Sequence, residues 1–335
     1  MDGREGFTVR VGGGLSSVPR LSRDMGVFVP RDQAVTVLAA ILDAWKTDLR
    51  YRVSRVKARL KFMIDDIGPE GMRERVEALL GYRLEDYQPD ELPRPVDHLG
   101  VHAQKQEGLS YVGVPVHLGL VSADQLVAVA DLAEELGGDI RITRRQNFIV
   151  AGIPDARLDD TLARLEAVGF PLSTSGLRAR GVACTGEPHC NFSVTETKSR
   201  LGRLVEHLEQ RFGDAADELG LQLDGCPHSC AQHWIADIGF QGTTARDEDG
   251  KRRQAYDIFV RGGLGPEAQI ATPLFRRIPT EELDAAVDGL VAGWLDGRVE
   301  GESFSSFAQR LTDDELGELA GLEPARSRAR EREAA

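Results

Sequence analysis

The sequence of 335 residues contains little cysteine, few basic residues relative to acidic ones and no long apolar run. No stretch approaches the roughly 20 apolar residues that a membrane helix needs, and the N-terminus lacks the apolar core of a signal peptide. The 41 basic residues are outnumbered by 54 acidic ones, giving a net charge of −13 that disfavours broad nucleic-acid binding. These absences predict a globular cytoplasmic protein that binds neither membrane nor nucleic acid.

The four cysteines form two close pairs. Cys184 and Cys190 stand in "VACTGEPHC", and Cys226 and Cys230 in "DGCPHSC". Four thiols in a long chain from a reducing compartment favour a metal site or catalysis over structural disulfides. The wider gap between the first two is unusual for zinc, whose paired ligands stand closer, and suits the reach of an iron–sulfur cube. Zinc and four buried structural cysteines are the alternatives.

Hydrophobic periodicity predicts an α+β chain. The segment from 111 to 153 contains a strand, a helix with a Ser cap at its start and Gly-Gly at its end, and two strands joined by a polar turn. A helix over 155–170 follows. Strand, helix, hairpin and helix in this order predict a small ferredoxin-like unit. Helical spacing also predicts helices over 32–47 and about 195–213.

An internal repeat is present. An offset of 249 positions superimposes "VGGGL" at 11–15 on "VRGGL" at 260–264 and matches six residues without a gap. The matched pairs are Val11 and Val260, Gly13 and Gly262, Gly14 and Gly263, Leu15 and Leu264, Pro30 and Pro279, and Trp45 and Trp294. The repeat therefore predicts a duplicated unit of a glycine-rich strand end, a proline and a helix that ends in tryptophan.

The cysteine segments carry a resemblance to a known family. "CTGEPHCNFSVTETK" and "DGCPHSCAQHWIADIGFQG" resemble the signature of the siroheme-dependent nitrite and sulfite reductases of the ferredoxin-dependent type, and "GVHAQKQEGLSYVGV" and "RITRRQNFIVAGIP" resemble their second half. That family is a tandem duplication, and this chain is similar to its C-terminal part. The resemblance implies four segments: the end of a first siroheme half-domain (1–95), a ferredoxin-like domain (96–172), a siroheme and 4Fe–4S domain (173–325) and a charged tail (326–335).

The resemblance also implies the cofactors and the reaction. Cys184, Cys190, Cys226 and Cys230 would hold a 4Fe–4S cluster, and Cys230 would also ligate the iron of siroheme. The implied reaction is the six-electron reduction of nitrite to ammonia or of sulfite to sulfide, with electrons from a ferredoxin-like donor. A cluster-binding or electron-transfer subunit without its own catalysis, and an oxygenase resembling precorrin-3B synthase, are the alternatives.

Siroheme carries many carboxylates, which require basic partners. "LRYRVSRVKARLK" (49–61) has six basic residues and no acid, and we expect it to form a helix. The resemblance implies that Arg59 contacts a siroheme carboxylate. Arg55, on the same predicted helical face, and Lys61, just beyond Arg59, are further candidates, although an ordinary solvated basic helix would have the same sequence. Further candidates for siroheme contact are the repeated glycines, where backbone would approach the macrocycle, and two polar residues of a turn: Gly13, Gly14, Gly262, Gly263, Gln146 and Asn147.

The resemblance assigns no catalytic residue in this chain. Relatives bind the anion through basic residues of their first half, and the repeat arithmetic places the corresponding segment before Met1. We therefore expect those groups to come from an upstream segment or from a separate N-terminal half chain. The role of His228, between the second pair of cysteines, is open, as is the choice between nitrite and sulfite.

Overall fold

The structure is a computed structural model that describes residues 3–87, 92–93, 95–187 and 189–325. The chain divides into two compact units, Met1–Arg94 and Pro95–Ala335. The predicted charged tail at 326–335 lies outside the described residues. Within the described ranges, no helix has both the length and the apolar character needed to cross a membrane.

The first unit packs two helices on a small antiparallel sheet. Its elements are β1 (Gly6–Val11), β2 (Arg23–Pro30), α1 (Ala34–Thr47), α2 (Leu60–Leu80) and β3 (Glu85–Asp86), and the strands lie in the order β1-β2-β3. Apolar side chains from the sheet and from both helices form its core, among them Val27, Val29, Val37, Ile41, Met63 and Met72. Helix α1 confirms the helix predicted over 32–47.

The predicted basic helix over 49–61 is wrong. Helical backbone is limited to a single 3-10 turn at Leu49–Tyr51, and α2 begins only at Leu60. A helix would bring like charges together at three- and four-residue spacing, with no acid between them to offset the repulsion. Ser54 offers an alternative to helical bonding, because its hydroxyl accepts a hydrogen bond from the N–H of Lys57 at 3.4 Å. Residues 52–59 therefore form a largely exposed loop.

The second unit begins with the ferredoxin-like part. It comprises β4 (Gly100–Ala103), β5 (Leu109–Val114), α3 (Ala123–Leu136), β6 (Asp139–Ile142), β7 (Phe148–Pro154) and α4 (Leu158–Ala167). The strands form a sheet in the order β4-β5-β7-β6. The N-terminal cap of α3 is the predicted serine: Ser122 and Gln125 form a reciprocal capping box.

Two details of this part differ from the sequence prediction. The strand predicted over 111–121 ends at Val114, and a short turn follows at His117–Gly119. Pro115 directly after the strand has no N–H to donate, so the ladder stops there. Strand β4, a short edge strand with an exposed surface, was not predicted.

The rest of the second unit is a mixed sheet with helices. Its elements are α5 (Gly176–Arg180), β8 (Val182–Ala183), α6 (Lys198–Phe212), β9 (Leu221–Asp224), β10 (Ile238–Arg246), β11 (Arg252–Val260), β12 (Thr272–Pro279), α7 (Leu283–Gly297), α8 (Phe304–Arg310) and α9 (Asp313–Ala320). The strand order is β12-β11-β10-β9-β8, with β8, β9 and β10 parallel. The predicted amphipathic helix is α6, whose Leu201, Leu204, Val205 and Leu208 are fully buried.

The two copies of the repeat have the same backbone. In the first, Gly6 pairs with Pro30 and Val11 with Arg23; in the second, Ala255 pairs with Pro279 and Val260 with Thr272. Each of these pairs is offset by the predicted 249 positions. Even the isolated bridge between Gly14 and Arg20 returns between Gly263 and Gln269. The structure thus confirms the duplication.

Candidate functional site

The cysteines lie at the ends of two neighbouring parallel strands. Cys184 directly follows β8, and Cys226 is two residues beyond the end of β9. Because β8 and β9 pair in parallel, with Ala183 opposite Leu223, their carboxyl ends lie at one edge of the sheet. The N–H of Cys184 donates to the carbonyl of Leu223 at 3.0 Å, which continues the ladder to the first thiol. All four thiols are free.

The segment 193–197 fastens both cysteine loops together. It passes over three glycines at which an added Cβ would collide: Cβ atoms at Gly186, Gly225 and Gly242 would lie 2.1, 1.9 and 2.2 Å from the hydroxyls of Thr197, Ser193 and Thr195. The hydroxyl of Thr197 also donates to the carbonyl of Cys184 at 2.7 Å. The glycines around the thiols therefore allow the loops to pack closely.

A buried carboxylate closes the loop that carries the second pair. Asp224 precedes this loop, and its carboxylate accepts hydrogen bonds from the N–H of Ala231 at 2.7 Å and from Nδ1 of His233 at 2.8 Å. Asp224 and His233 are 1% and 0% exposed. Because these bonds connect the residue before the loop to residues after Cys230, they fix the span on which both cysteines lie.

The electrostatics of the site oppose free thiolates and favour a bound cation. Burial raises the pKa of the Cys184 thiol, although the N–H of Gly225 donates to its Sγ at 3.3 Å. Partial desolvation also raises the pKa of Cys230, although the residue as a whole is exposed, and the charges of Asp224, Cys226 and Cys190 add to the effect. Deprotonation of Cys184 and Cys230 is therefore unfavourable without a nearby positive charge, which bound iron would supply.

A lysine missed by the sequence analysis lies beside the first thiol. Lys198, the first residue of α6, donates from Nζ to the carbonyls of Leu118 and Ala183. Burial lowers its pKa, while the charge of Cys184 acts in the opposite direction. It was detectable as the last residue of "TETK" in the quoted motif, but only the fold shows that its ammonium group lies near Cys184.

A single metal ion and an iron–sulfur cluster make different demands on four thiols. Among the described residues, no three His, Cys, Asp or Glu side chains converge closely enough to hold one metal ion. Zinc would require its thiolates at about 2.3 Å from a common point, whereas an iron–sulfur cube takes one thiolate at each of four separated irons. Four free thiols on the two loops that follow β8 and β9 are the kind of donor set that such a cluster takes.

The turn residues Gln146 and Asn147 bond to backbone near the first cysteine pair. Gln146 donates from Nε2 to the carbonyl of Ala183 at 2.9 Å. The amide of the buried Asn147 accepts from the N–H of Val116 at 2.8 Å and donates to the carbonyl of Ala179 at 3.0 Å. Both side chains thus tie the β6–β7 turn to the segment before Cys184, and their contact with siroheme stays a prediction.

The repeated glycines have structural reasons of their own. An added Cβ at Gly262 would lie 2.6 Å from the carbonyl oxygen of Ala236, and one at Gly263 would lie 2.8 Å from that of Glu267. At Gly13 it would lie 3.0 Å from Cβ of Ser22, whereas at Gly14 it would have room, with Lys61 at 3.7 Å. The plain turn interpretation therefore accounts for Gly262 and Gly263 without a cofactor.

The basic candidates of the first unit differ in their surroundings. Lys61 is only 8% exposed, and its Nζ donates to the carbonyls of Leu15 and Val18 at 2.8 and 2.6 Å, so it supports the glycine-rich loop. Burial lowers its pKa. Arg55 and Arg59 are exposed, and Arg59 donates to the carbonyl of Ala58 at 2.9 Å. Their assignment to siroheme carboxylates stays a prediction.

Two protein-family descriptions match the parts of the chain described above. Residues 102–168 match the family described as the nitrite/sulfite reductase ferredoxin-like half domain, within the part that the sequence predicted to be ferredoxin-like. Residues 1–84 and 175–321 match the nitrite and sulphite reductase 4Fe-4S domain. The second match covers both copies of the repeat and all four cysteines, and it confirms the predicted fold class.

Individual relatives give the same result. The chain is 38% identical over 319 residues to sulfite reductase [ferredoxin] 1 of Mycolicibacterium paratuberculosis, covering 93% of this chain and 57% of the relative. It is 35% identical to the assimilatory ferredoxin-dependent nitrite reductase of Haloferax mediterranei, covering 93% and 56%. The solved Mycobacterium tuberculosis NirA protein superimposes with a TM-score of 0.83 at 36% identity, over 93% of this chain and 58% of that one. The chain thus spans little more than half the length of these relatives, and it belongs to the nitrite and sulfite reductase family.

Proposed function

We propose that this chain binds a 4Fe–4S cluster through Cys184, Cys190, Cys226 and Cys230, and that Cys230 also ligates the iron of siroheme. The proposed reaction is the six-electron reduction of nitrite to ammonia or of sulfite to sulfide. Relatives named for a ferredoxin donor support a ferredoxin-like electron source. The bound centres supply electron transfer and the redox chemistry of the anion.

The observation that carries the proposal is the placement of four free thiols on the two loops that follow the neighbouring parallel strands β8 and β9. Their exposure differs in a way that suits a shared ligand. Cys226 is buried, Cys184 and Cys190 are half-buried, and Cys230 is exposed. An exposed thiolate can bind a cluster on one side and a second iron on the other, which supports Cys230 as the shared ligand.

The residues around the thiols would hold the cluster rather than react. Asp224 fixes the second loop through Ala231 and His233, and the segment 193–197 fixes both loops against each other. The ammonium group of Lys198 and the N–H of Gly225 place positive charge and a hydrogen-bond donor beside Cys184. Such contacts lower the energy of a negatively charged centre and influence its potential.

The test is anaerobic reconstitution of the chain with iron and sulfide, followed by iron and sulfide analysis and EPR of the reduced protein. We expect about four irons and four sulfides per chain, and each of the four Cys→Ser variants should lose most of this content. Ser229→Ala is the matched control: its buried hydroxyl has no hydrogen-bond partner among the described residues, so cluster content should be retained.

The reaction requires a second measurement. The reconstituted chain is supplied with siroheme, and its absorption spectrum and its turnover of nitrite and sulfite with reduced methyl viologen are recorded. Siroheme bands that Cys230→Ser weakens would support the shared ligand. Zinc in place of iron, or full cluster content in all four serine variants, would contradict the proposal.

A further inference from the structure

His228 lies against the sulfur of the most buried cysteine. Its Nδ1 is 3.6 Å from Sγ of Cys226, within hydrogen-bonding distance for sulfur. Cys226 is 8% exposed, whereas His228 is exposed. The imidazole therefore covers the sulfur from the solvent side of the loop.

The ring of His228 is held in place by an aromatic neighbour. The ring of Phe192 meets it edge to face, with centroids 4.8 Å apart and an angle of 81° between the planes. Phe192 is itself 67% exposed and belongs to the loop that follows Cys190. The pair thus joins the two cysteine loops above the thiols, and the contact directs Nδ1 toward Cys226.

Ligation by iron would decide which atom donates. A free thiol can either donate its proton to Nδ1 or accept one from it. A thiolate bound to iron has no proton and can only accept, so a hydrogen bond at this contact requires the tautomer with the hydrogen on Nδ1. The contact between His228 and Cys226 then becomes an N–H···S bond to a cluster ligand.

We propose that His228 is a tuning residue of the cluster: its Nδ1–H donates to the Cys226 thiolate and raises the reduction potential of the cluster. This inference rests on the proposed cluster, because it concerns a bond to one of the cluster's ligands. A hydrogen bond to a ligating sulfur offsets part of its negative charge, and reduction, which adds negative charge, then becomes more favourable.

The test uses the full chain reconstituted with iron and sulfide alone, without siroheme. His228→Phe retains a ring that can pack on Phe192 but removes the N–H, and we expect its midpoint potential to fall below that of the wild type. His228→Asn restores an N–H donor and should recover part of the shift. His189→Phe is the matched control: His189 precedes Cys190 and is exposed, and among the described residues its ring makes no bond to sulfur, so its substitution should leave the potential unchanged.

Pulsed EPR on the wild-type protein provides a readout that needs no variant. With ¹⁵N-labelled histidine, the reduced cluster should show a weak nitrogen coupling and an exchangeable proton in D₂O. A wild type with a cluster but neither coupling, or an unchanged potential in His228→Phe, overturns the role of His228 and leaves the cluster in place. Failure of the wild type to form any cluster overturns the proposed function, and this inference with it.

Discussion

The two copies of the repeat have equivalent strand pairing, but the burial of their helices differs. Leu38 and Leu42 on α1 are 56% and 57% exposed, whereas their counterparts on α7, Val287 and Val291, are both fully buried. In the second copy α6 lies along α7, where His207 bonds to Asp288 at 2.9 Å and Arg200 pairs with Asp284. Strand pairing and turns therefore set the backbone of the unit, and neighbouring elements set its burial.

A substitution at one equivalent position in each copy tests this difference, and it has the largest expected effect. Val291→Asp would bury a carboxylate without a partner and should lower the free energy of unfolding by about 4 kcal/mol or more. Leu42→Asp places the same group on an exposed helix surface and should change it by at most about 0.5 kcal/mol. Urea denaturation monitored by circular dichroism measures both. Equal losses in the two variants would mean that the apolar face of α1 is covered as well.

The sequence predicted best what short-range patterns determine. The serine cap of α3 was predicted, and in the structure Ser122 forms a capping box with Gln125. The amphipathic face of α6 follows from its leucine spacing. The repeat was visible because glycine, proline and tryptophan occupy positions that the backbone constrains. The cysteine pairs were visible because thiols are rare in this chain.

Features that depend on residues distant in the sequence were not predicted. Lys61 looks like one more cation of a basic segment, but carbonyls some 45 residues away surround its ammonium group. Lys198 acquires its place beside Cys184 only when α6 packs near β8. The loop over 52–59 was mistaken for a helix because periodicity ignores the repulsion among its cations. Long-range packing of charged groups is thus what the sequence analysis could not supply.

At one position of the repeat, the two copies adopt the same left-handed backbone conformation with different residues. Gly12 has φ of 79°, and its counterpart Arg261 has φ of 70°, a region unfavourable for residues with a side chain. Arg261 is held there by three bonds: to the carboxylate of Asp313 at 2.7 Å and to the carbonyls of Ala308 and Leu311 at 2.9 and 2.8 Å. A Cβ at Gly12 would instead lie 2.8 Å from Cβ of Ile64.

Substituting either residue should lower the stability of the protein. Gly12→Ala adds both a strained φ and a collision with α2, and should cost about 2 to 3 kcal/mol. Arg261→Gly relieves the backbone but removes the three anchoring bonds, for a net cost of about 1 to 2 kcal/mol. Thermal unfolding of the two variants provides the comparison. A more stable Arg261→Gly protein would show that the backbone strain exceeds what the bonds contribute.

The third comparison concerns β10, a strand that lies beside the repeat in the second copy alone. β11 pairs with β10, whereas its counterpart β1 is an edge strand, and Asp237 directly precedes β10. Burial raises the pKa of Asp237 from 3.8 to about 6, although the N–H of Gly220 donates to its carboxylate at 2.8 Å and Arg145 attracts it. The folded protein therefore holds this proton more tightly than the unfolded chain does.

The sign of the pH dependence follows from this raised pKa. The stabilisation that the protonated carboxyl of Asp237 contributes is fully present below pH 3.8 and is lost as the pH rises through about 6. At neutral pH the ionised carboxylate therefore destabilises the folded protein. Asp237→Asn keeps an acceptor for Gly220 but cannot ionise. It should gain about 2 kcal/mol over the wild type at pH 8, allowing for partial solvent access and Arg145, and nothing near pH 4. Unfolding measured from pH 4 to 8 follows the difference between the two proteins. A gain that does not vary with pH would mean that the asparagine stabilises β10 by packing rather than by removing a charge.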